Sequence, residues 1–191
     1  MSKEIIDKQY FDDMYAASQD PWNFTGSMYE QEKYQHTITA LGGEDFINGL
    51  EIGCSIGVLT KMLSEYCTSL LGVDISEKPI LIARERLKDN LGVKFEVFDI
   101  PRQYPDNQFD LIVVSEVAYY LSEKDLISTK SLILNSLADN GTLCLVHWRP
   151  QIDGCAFNGD QVNDSFLNDG AYNPAYQYSN DQYRIDVIKK R

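Results

Sequence analysis

An α/β fold, with a mostly parallel sheet carrying helices on both faces, follows from three features of this sequence. From Gly49 onward, short apolar runs bounded by glycine or acidic residues alternate with longer amphipathic runs, the rhythm of βαβ units. Runs such as LLGVD and FDLIVVS are apolar nearly throughout, as strands buried on both faces are. The third feature is LEIGCSIGVLT, Leu50 to Thr60, a glycine-bearing turn between an apolar strand and an amphipathic helix.

Ile6 to Ala17 and Ser27 to Leu41 carry helical patterning. SQDPWNFTG between them is turn chemistry, since the residue before Pro21 avoids helix and Gly26 permits a sharp reversal. Strands are predicted at Gly49–Ile52, Leu70–Val73, Val93–Phe98, Phe109–Ser115 and Thr142–His147, with helices at Gly57–Cys67, Glu77–Asn90 and Glu123–Leu137 between them. Right-handed crossovers place those helices on both sides of the sheet. After Pro150 the rhythm fails. QIDGCAFNGDQVND is loop-like, GDQVNDSFL holds a short helix, and AYQYSNDQYRIDVIKKR reads as two strands around Asn180-Asp181 that supply an antiparallel edge. No repeat, low-complexity tract or linker interrupts the 191 residues, so the expectation is one domain over 1–191, with 1–41 a helical lid over a core of 49–191.

The formal net charge of −12, from 29 acidic and 17 basic side chains, opposes nucleic-acid phosphate and anionic lipid and favours small neutral or cationic substrates. Cys54, Cys67, Cys144 and Cys155 form no CxxC pair, which fits reduced thiols and no metal. MSKEIIDKQYFDD is mixed-charge without an apolar core, and no run approaches the ~20 apolar residues of a membrane span. A cytoplasmic protein is expected. Nothing speaks to its oligomeric state.

In an open parallel sheet the ligand crevice lies at the carboxyl ends of the strands, where LEIGCSIG falls. Gly53 and Gly57 let backbone approach a ligand, and the following helix presents its N-terminus there. The dinucleotide fingerprint G-x-G-x-x-G is not met, because the middle glycine that admits a pyrophosphate is missing. Glu51, two residues before Gly53, also makes a pyrophosphate unwelcome. A cationic cofactor such as S-adenosylmethionine fits better. Asp74 ends the next strand where a carboxylate binds ribose hydroxyls in either cofactor class, and Asp99 ends a third strand near an adenine amino group. Glu51, Asp74 and Asp99 are expected in register at the strand ends.

LEIGCSIG, LLGVDIS, the FDI after the third strand and FDLIVVSE together resemble the cofactor motifs of class I S-adenosylmethionine-dependent methyltransferases. DPWNF, SMYEQEKYQHT, EIGCSIGVLT, FDLIVVSEVAYYL, LVHWR and FNGDQVND resemble the narrower NodS-like family across nearly the whole chain. That family is related to the nodulation N-methyltransferase that acts on a chitooligosaccharide. The segment after Arg149 is short and idiosyncratic, and loops there commonly shape the acceptor site. The resemblance implies a Rossmann-like, seven-stranded, mostly parallel sheet with an antiparallel C-terminal strand, an N-terminal helical lid, and S-adenosylmethionine as methyl donor, leaving S-adenosylhomocysteine. It implies that Glu51, Gly53, Ser55 and Gly57 line the methionine end of the cofactor. Asp74 then takes the ribose, Ile75 flanks the adenine, Asp99 with the Ile100 backbone reads the adenine edge, and Ser115 opens onto the sulfonium.

Methyl transfer is an in-line displacement, so holding the nucleophile about 3 to 3.5 Å from the methyl carbon supplies most of the catalysis. An amine must also be neutral when it attacks. Glu116, directly after Ser115, is the first candidate to bind the acceptor, and His147 in LVHWR is the candidate general base. Tyr119 and Tyr120 are candidates to stack on a sugar face, and Trp148 and Arg149 to flank the acceptor channel. His36 reads as a surface or packing residue. Trp22, with Tyr29, Glu30, Lys33 and Tyr34 spaced for one helix face, reads as a lid that helps hold the methionine carboxylate. The 12 tyrosines and two tryptophans are compatible with a saccharide acceptor. The leading expectation is an enzyme that N-methylates an amine on a sugar, oligosaccharide or other small metabolite. An O-methyltransferase on a similar acceptor, a non-catalytic protein retaining the pocket, and an NAD-dependent oxidoreductase are the alternatives. The missing glycine and Glu51 disfavour the last.

Overall fold

A computed structural model describes residues 6–168 and 170–191. The first five residues of MSKEIIDKQYFDD, on which the reading of the N-terminus and of one domain over 1–191 partly rests, lie outside the described residues. Two helices, α1 (Lys8–Ala17) and α2 (Met28–Ala40), precede β1 (Phe46–Ile52) and α3 (Val58–Leu63). Next come β2 (Cys67–Asp74), α4 (Glu77–Arg86), β3 (Val93–Val97) and β4 (Phe109–Ser115). A 3-10 turn at Ala118–Tyr120 leads to α5 (Glu123–Ser136), β5 (Leu137–Trp148), α6 (Gly159–Leu167), β6 (Tyr172–Ser179) and β7 (Tyr183–Lys190).

The seven strands form one sheet in the order β3-β2-β1-β4-β5-β7-β6. β1 to β5 pair in parallel, and β7 runs antiparallel between β5 and β6. The predicted hairpin therefore forms, but its second strand joins the sheet first and its first strand becomes the edge.

Alternation along the central strands builds two cores. Leu50, Ile52, Ile112, Val114, Leu143 and Leu145 pack on one face, with Val162 and Phe166 of α6. Leu111, Val113, Cys144 and Val146 pack on the other, with Tyr34 and Ile38 of α2 and Leu59 of α3. Covering both faces is what permits strands with almost no polar residues.

Several boundaries differ from the sequence reading, α4 for instance ending at Arg86 and not at Asn90, and two of the differences have a cause in the sheet. α3 stops at Leu63 and does not reach Cys67, which already pairs with Phe46 in the sheet. β5 begins at Leu137, five residues before Thr142, because Leu137 pairs with Phe109 across a bulge. In both places long-range pairing overrides local pattern.

Candidate active site

The glycine turn folds back over the tips of its neighbours. The N–H groups of Gly53 and Cys54 donate to Val73 O at 2.9 and 3.0 Å, and Gly57 N–H donates to Cys54 O at 2.9 Å. Gly53 holds φ +85°, and a Cβ there would lie 2.7 Å from Ser115 O, so only glycine fits. Gly57 caps α3 at φ +77°.

Asp74 ties this turn to the next helix. Its carboxylate accepts Ser55 N–H at 3.1 Å and Ser76 N–H at 3.0 Å. Burial pushes its carboxyl up to about 6, against the pull of those amides. The three acidic residues are staggered, which corrects the expectation of register. Glu51 pairs with Gly72 and Val113, two positions short of Asp74 and Ser115, whereas Asp99 lies two beyond Val97, the partner of Asp74. Glu51 is thus buried under the turn, with Oε2 lacking a hydrogen-bond partner, and burial raises its carboxyl to about 7. It lines a small hollow with Tyr34, beside the main cavity and sharing the Gly53 and Glu116 wall with it, and Gly57 lines neither. Asp99 pairs with Arg102 at 3.2 Å.

The two N-terminal helices complete the walls. Asp7 caps α1 by accepting Gln9 and Tyr10 N–H, and Asp12 accepts Ser76 Oγ–H at 2.6 Å. The hydroxyls of Tyr15 and Ser55 are hydrogen-bonded, so α1 is fastened to the glycine turn itself. Between the helices Asp20 accepts Phe24 N–H at 2.7 Å and Thr25 N–H at 2.9 Å, a turn that seats Trp22 against Phe24 and Tyr15. On α2, Lys33 is 2 % exposed and reaches Glu116 Oε1 at 2.6 Å and Glu30 at 3.0 Å, 5.1 Å from the Tyr29 ring centroid.

Glu116 occupies the left-handed region at φ +54°, a costly backbone for a side chain with a Cβ. Its Oε2 accepts the Tyr119 hydroxyl at 2.7 Å and Trp148 N–H at 2.8 Å. Burial alone would raise this carboxyl, but Lys33 outweighs it and holds Glu116 below the usual carboxylate range.

These groups enclose a cavity of about 680 Å³, within the range of small-molecule sites. Gly53, Ser55, Asp74, Ile75, Asp99 and Ile100 line one side of it. Ser115, Glu116, Tyr119, Tyr120 and Trp148 line it from the ends of β4 and β5 and the 3-10 turn, and Trp22, Tyr29 and Lys33 from α2 and the turn before it. Besides Glu51, Gly57 and Tyr34, two residues expected on the acceptor side do not reach it. His147 is 0 % exposed, because it continues the row of Leu143 and Leu145 on the α6 side of β5. Arg149 pairs with Asp160 at 3.0 Å and donates to Asn180 O. Phe11, Tyr15 and Phe24 also line the cavity, as does Thr129 of α5, whose buried Oγ1 lacks a partner. The spacing of Phe11 and Tyr15, one helical turn apart, is the signal that would have found that pair. His36, read as a packing residue, bonds Tyr183 and Tyr176 hydroxyls at 3.0 and 2.7 Å, joining α2 to the C-terminal hairpin. All four cysteines are free thiols. Among the described residues no cluster of three His, Cys, Asp or Glu is placed for a metal, and no helix is long and apolar enough to cross a membrane.

A family model described as Nodulation protein S (NodS) matches residues 7–160. The chain belongs to the NodS family. Its curated relatives include Nodulation protein S of Sinorhizobium fredii, 36 % identical over 115 residues, covering 59 % of this chain and 53 % of that protein. Nodulation protein S of Bradyrhizobium diazoefficiens is 34 % identical over 140 residues, covering 71 % and 66 %. The matched part thus spans about half to two thirds of the length of these NodS relatives. In overall fold the chain is similar to the N-methyltransferase NodS of Bradyrhizobium japonicum WM9 crystallised with S-adenosyl-L-homocysteine (TM-score 0.85, 24 % identity, 96 % of this chain and 98 % of that one). It is similar also to a putative methyltransferase of Pseudomonas syringae (TM-score 0.77, 30 % identity, 86 % and 100 %).

Proposed function

We propose that this NodS-family chain is an S-adenosylmethionine-dependent methyltransferase that methylates an amine on a sugar, oligosaccharide or other small metabolite. The observation that carries this reading is that one cavity is walled by the Gly53–Asp74 turn on one side and by an ionised, ion-paired Glu116 on the other. The donor set fits the cofactor. Asp74 offers a carboxylate to ribose hydroxyls, Gly53 leaves backbone uncovered, and the acidic side chains of the lining outnumber its cations Lys8, Lys33 and Arg102, which leaves the cavity net negative and suited to a sulfonium and an ammonium. When bound, S-adenosylmethionine supplies an electrophilic methyl group. In this reading Ile75, Ile100 and Phe98 flank the adenine, Ser55 and Lys33 serve the methionine end, and α1 with α2 forms the lid that excludes water.

The acceptor side favours nitrogen. Glu116 is held ionised by Lys33, so it is a weak base that orients an ammonium or amine but cannot take a proton from an alcohol. An amine needs only to lose its proton to solvent before it attacks, whereas an alcohol needs a strong base at the site. Tyr120 and Trp148 on the same wall supply aromatic surface for a sugar, while the buried Tyr119 holds Glu116. The test is S-adenosylhomocysteine release by the purified protein with glucosamine and its β-1,4 oligomers, each set against the hydroxyl analogue. Release with amines alone is expected. Release with the hydroxyl analogues instead, or only in the absence of any acceptor, would overturn the reading.

A further inference from the structure

Behind the cavity wall a string of hydrogen bonds runs through residues that do not touch the cavity. His147, Asn163 and Asp186 are each 0 % exposed. Asp186 on β7 is anchored by Arg184 Nε at 2.6 Å and accepts the Gln177 amide N–H at 2.9 Å. Asn163 on α6 donates from Nδ2 to Asp186 Oδ2 at 2.7 Å, and a carboxylate can only accept, so the orientation of its amide is fixed. Its Oδ1 therefore faces His147 Nδ1 at 2.8 Å. An amide oxygen also only accepts, which puts the proton of a neutral His147 on Nδ1.

Nε2 is left as a lone pair, and it accepts Ala118 N–H at 3.4 Å. Ala118 opens the 3-10 turn that carries Tyr119, and Tyr119 donates to Glu116 Oε2. The residue after His147 donates its backbone N–H to that same oxygen. His147 thus stands between the two donors that hold one oxygen of Glu116, a residue whose own backbone is in the left-handed region. The opposite tautomer would set an imidazole N–H against the Ala118 N–H, two buried donors facing each other. Close docking of α6 makes the contact possible. A Cβ at Gly159 would lie 2.2 Å from Trp148 O.

We propose that Asp186, Asn163 and His147 form a buried positioning brace that sets the imidazole tautomer, secures the Ala118–Tyr120 turn and thereby aims the Glu116 carboxylate into the cavity. The role assigned to Glu116 rests on the methyl-transfer reading; the brace itself does not. None of the three is a catalytic residue. They act through Glu116.

The test begins with the unmodified protein. Imidazole ¹⁵N NMR, assigned with His36→Gln, is expected to show His147 neutral with its proton on Nδ1 throughout pH 6 to 8. A proton on Nε2 would overturn the brace without any variant having to fold. In Asp186→Asn the Asn163 amide is free to flip, and in Asn163→Leu both bonds are lost with the branched outline of the side chain kept. Both variants are expected to move His147 toward the Nε2 tautomer and to raise the Glu116 ¹³C titration midpoint. They should bind S-adenosylhomocysteine within about twofold of the parent and turn over a glucosamine oligomer about tenfold more slowly, as displaced reacting groups do. Folded variants with the parent tautomer, Glu116 titration and turnover would overturn the proposal. If the parent binds no S-adenosylhomocysteine, the methyl-transfer reading fails, while the two NMR signatures still decide for or against the brace.

Discussion

Lys33 Nζ lies 2.6 Å from Glu116 Oε1, and the lysine is 2 % exposed. A buried cation from the second helix and a half-buried anion from the tip of β4 thus meet, 83 residues apart in sequence. Burial alone would lower the Lys33 ammonium and raise the Glu116 carboxyl, and each is shifted the opposite way by its partner. The pair ties α2 to the end of β4 at the cavity wall.

Removing the lysine leaves Glu116 and Glu30 without the cation they share. Lys33→Met should cost about 3 kcal/mol of stability in urea unfolding, the scale for breaking a buried pair. A loss below about 0.5 kcal/mol would place the pair with exposed surface ion pairs. The pH sense follows from the shifts. The depressed Glu116 contributes stability that is present above the ordinary carboxylate value and lost only as pH falls through its lower folded value. The raised Lys33 contributes below the ordinary lysine value and loses it only as pH rises through a higher one. Stability attributable to the pair should therefore be flat from pH 5 to 10.

Asp74 shifts the other way, to about 6, so its folded state favours the neutral acid and the carboxylate that ribose hydroxyls need is gained as pH rises through 6. S-adenosylhomocysteine affinity should fall about tenfold from pH 7.5 to pH 5, in step with the ionised fraction. Asp74→Ala should weaken binding at least tenfold and flatten that profile, because ribose hydroxyls left unpaired are costly to desolvate. Unchanged affinity would remove Asp74 from the site.

Gly53→Ala tests the close approach at the turn. The left-handed backbone costs about 1–2 kcal/mol for any residue with a Cβ, before the contact of 2.7 Å with Ser115 O is counted. The variant should bind cofactor at least tenfold more weakly, measured by calorimetry. Parent affinity would mean that the turn does not contact the ligand.

Tyr15→Phe keeps the ring against Trp22 and removes the hydroxyl that bonds Ser55. Stability should change by about 1 kcal/mol, the worth of one hydrogen bond, while cofactor dissociation measured by stopped flow accelerates severalfold as α1 loosens from the turn. An unchanged off-rate would detach α1 from cofactor retention.

Much of this was legible in the sequence. Short apolar runs alternating with amphipathic ones, and the glycine turn after β1, pointed to the sheet, and strand-end position brought Asp74, Asp99, Ser115 and Glu116 to one cavity. Register was not legible. Glu51 stands only two residues before Gly53, but that is enough to bury it under the turn. His147 failed for a related reason. Position on a strand is visible in sequence, but which face its side chain takes depends on what packs there, and α6 brings Asn163 to that face. Arg149 was drawn away by Asp160 and Asn180, partners set by the hairpin and by α6.

Calorimetric titration with S-adenosylhomocysteine, with NAD as the control, tests the central claim most directly. Micromolar binding of the first and none of the second is the predicted result. Binding of NAD, or of neither ligand by a folded sample, would contradict it.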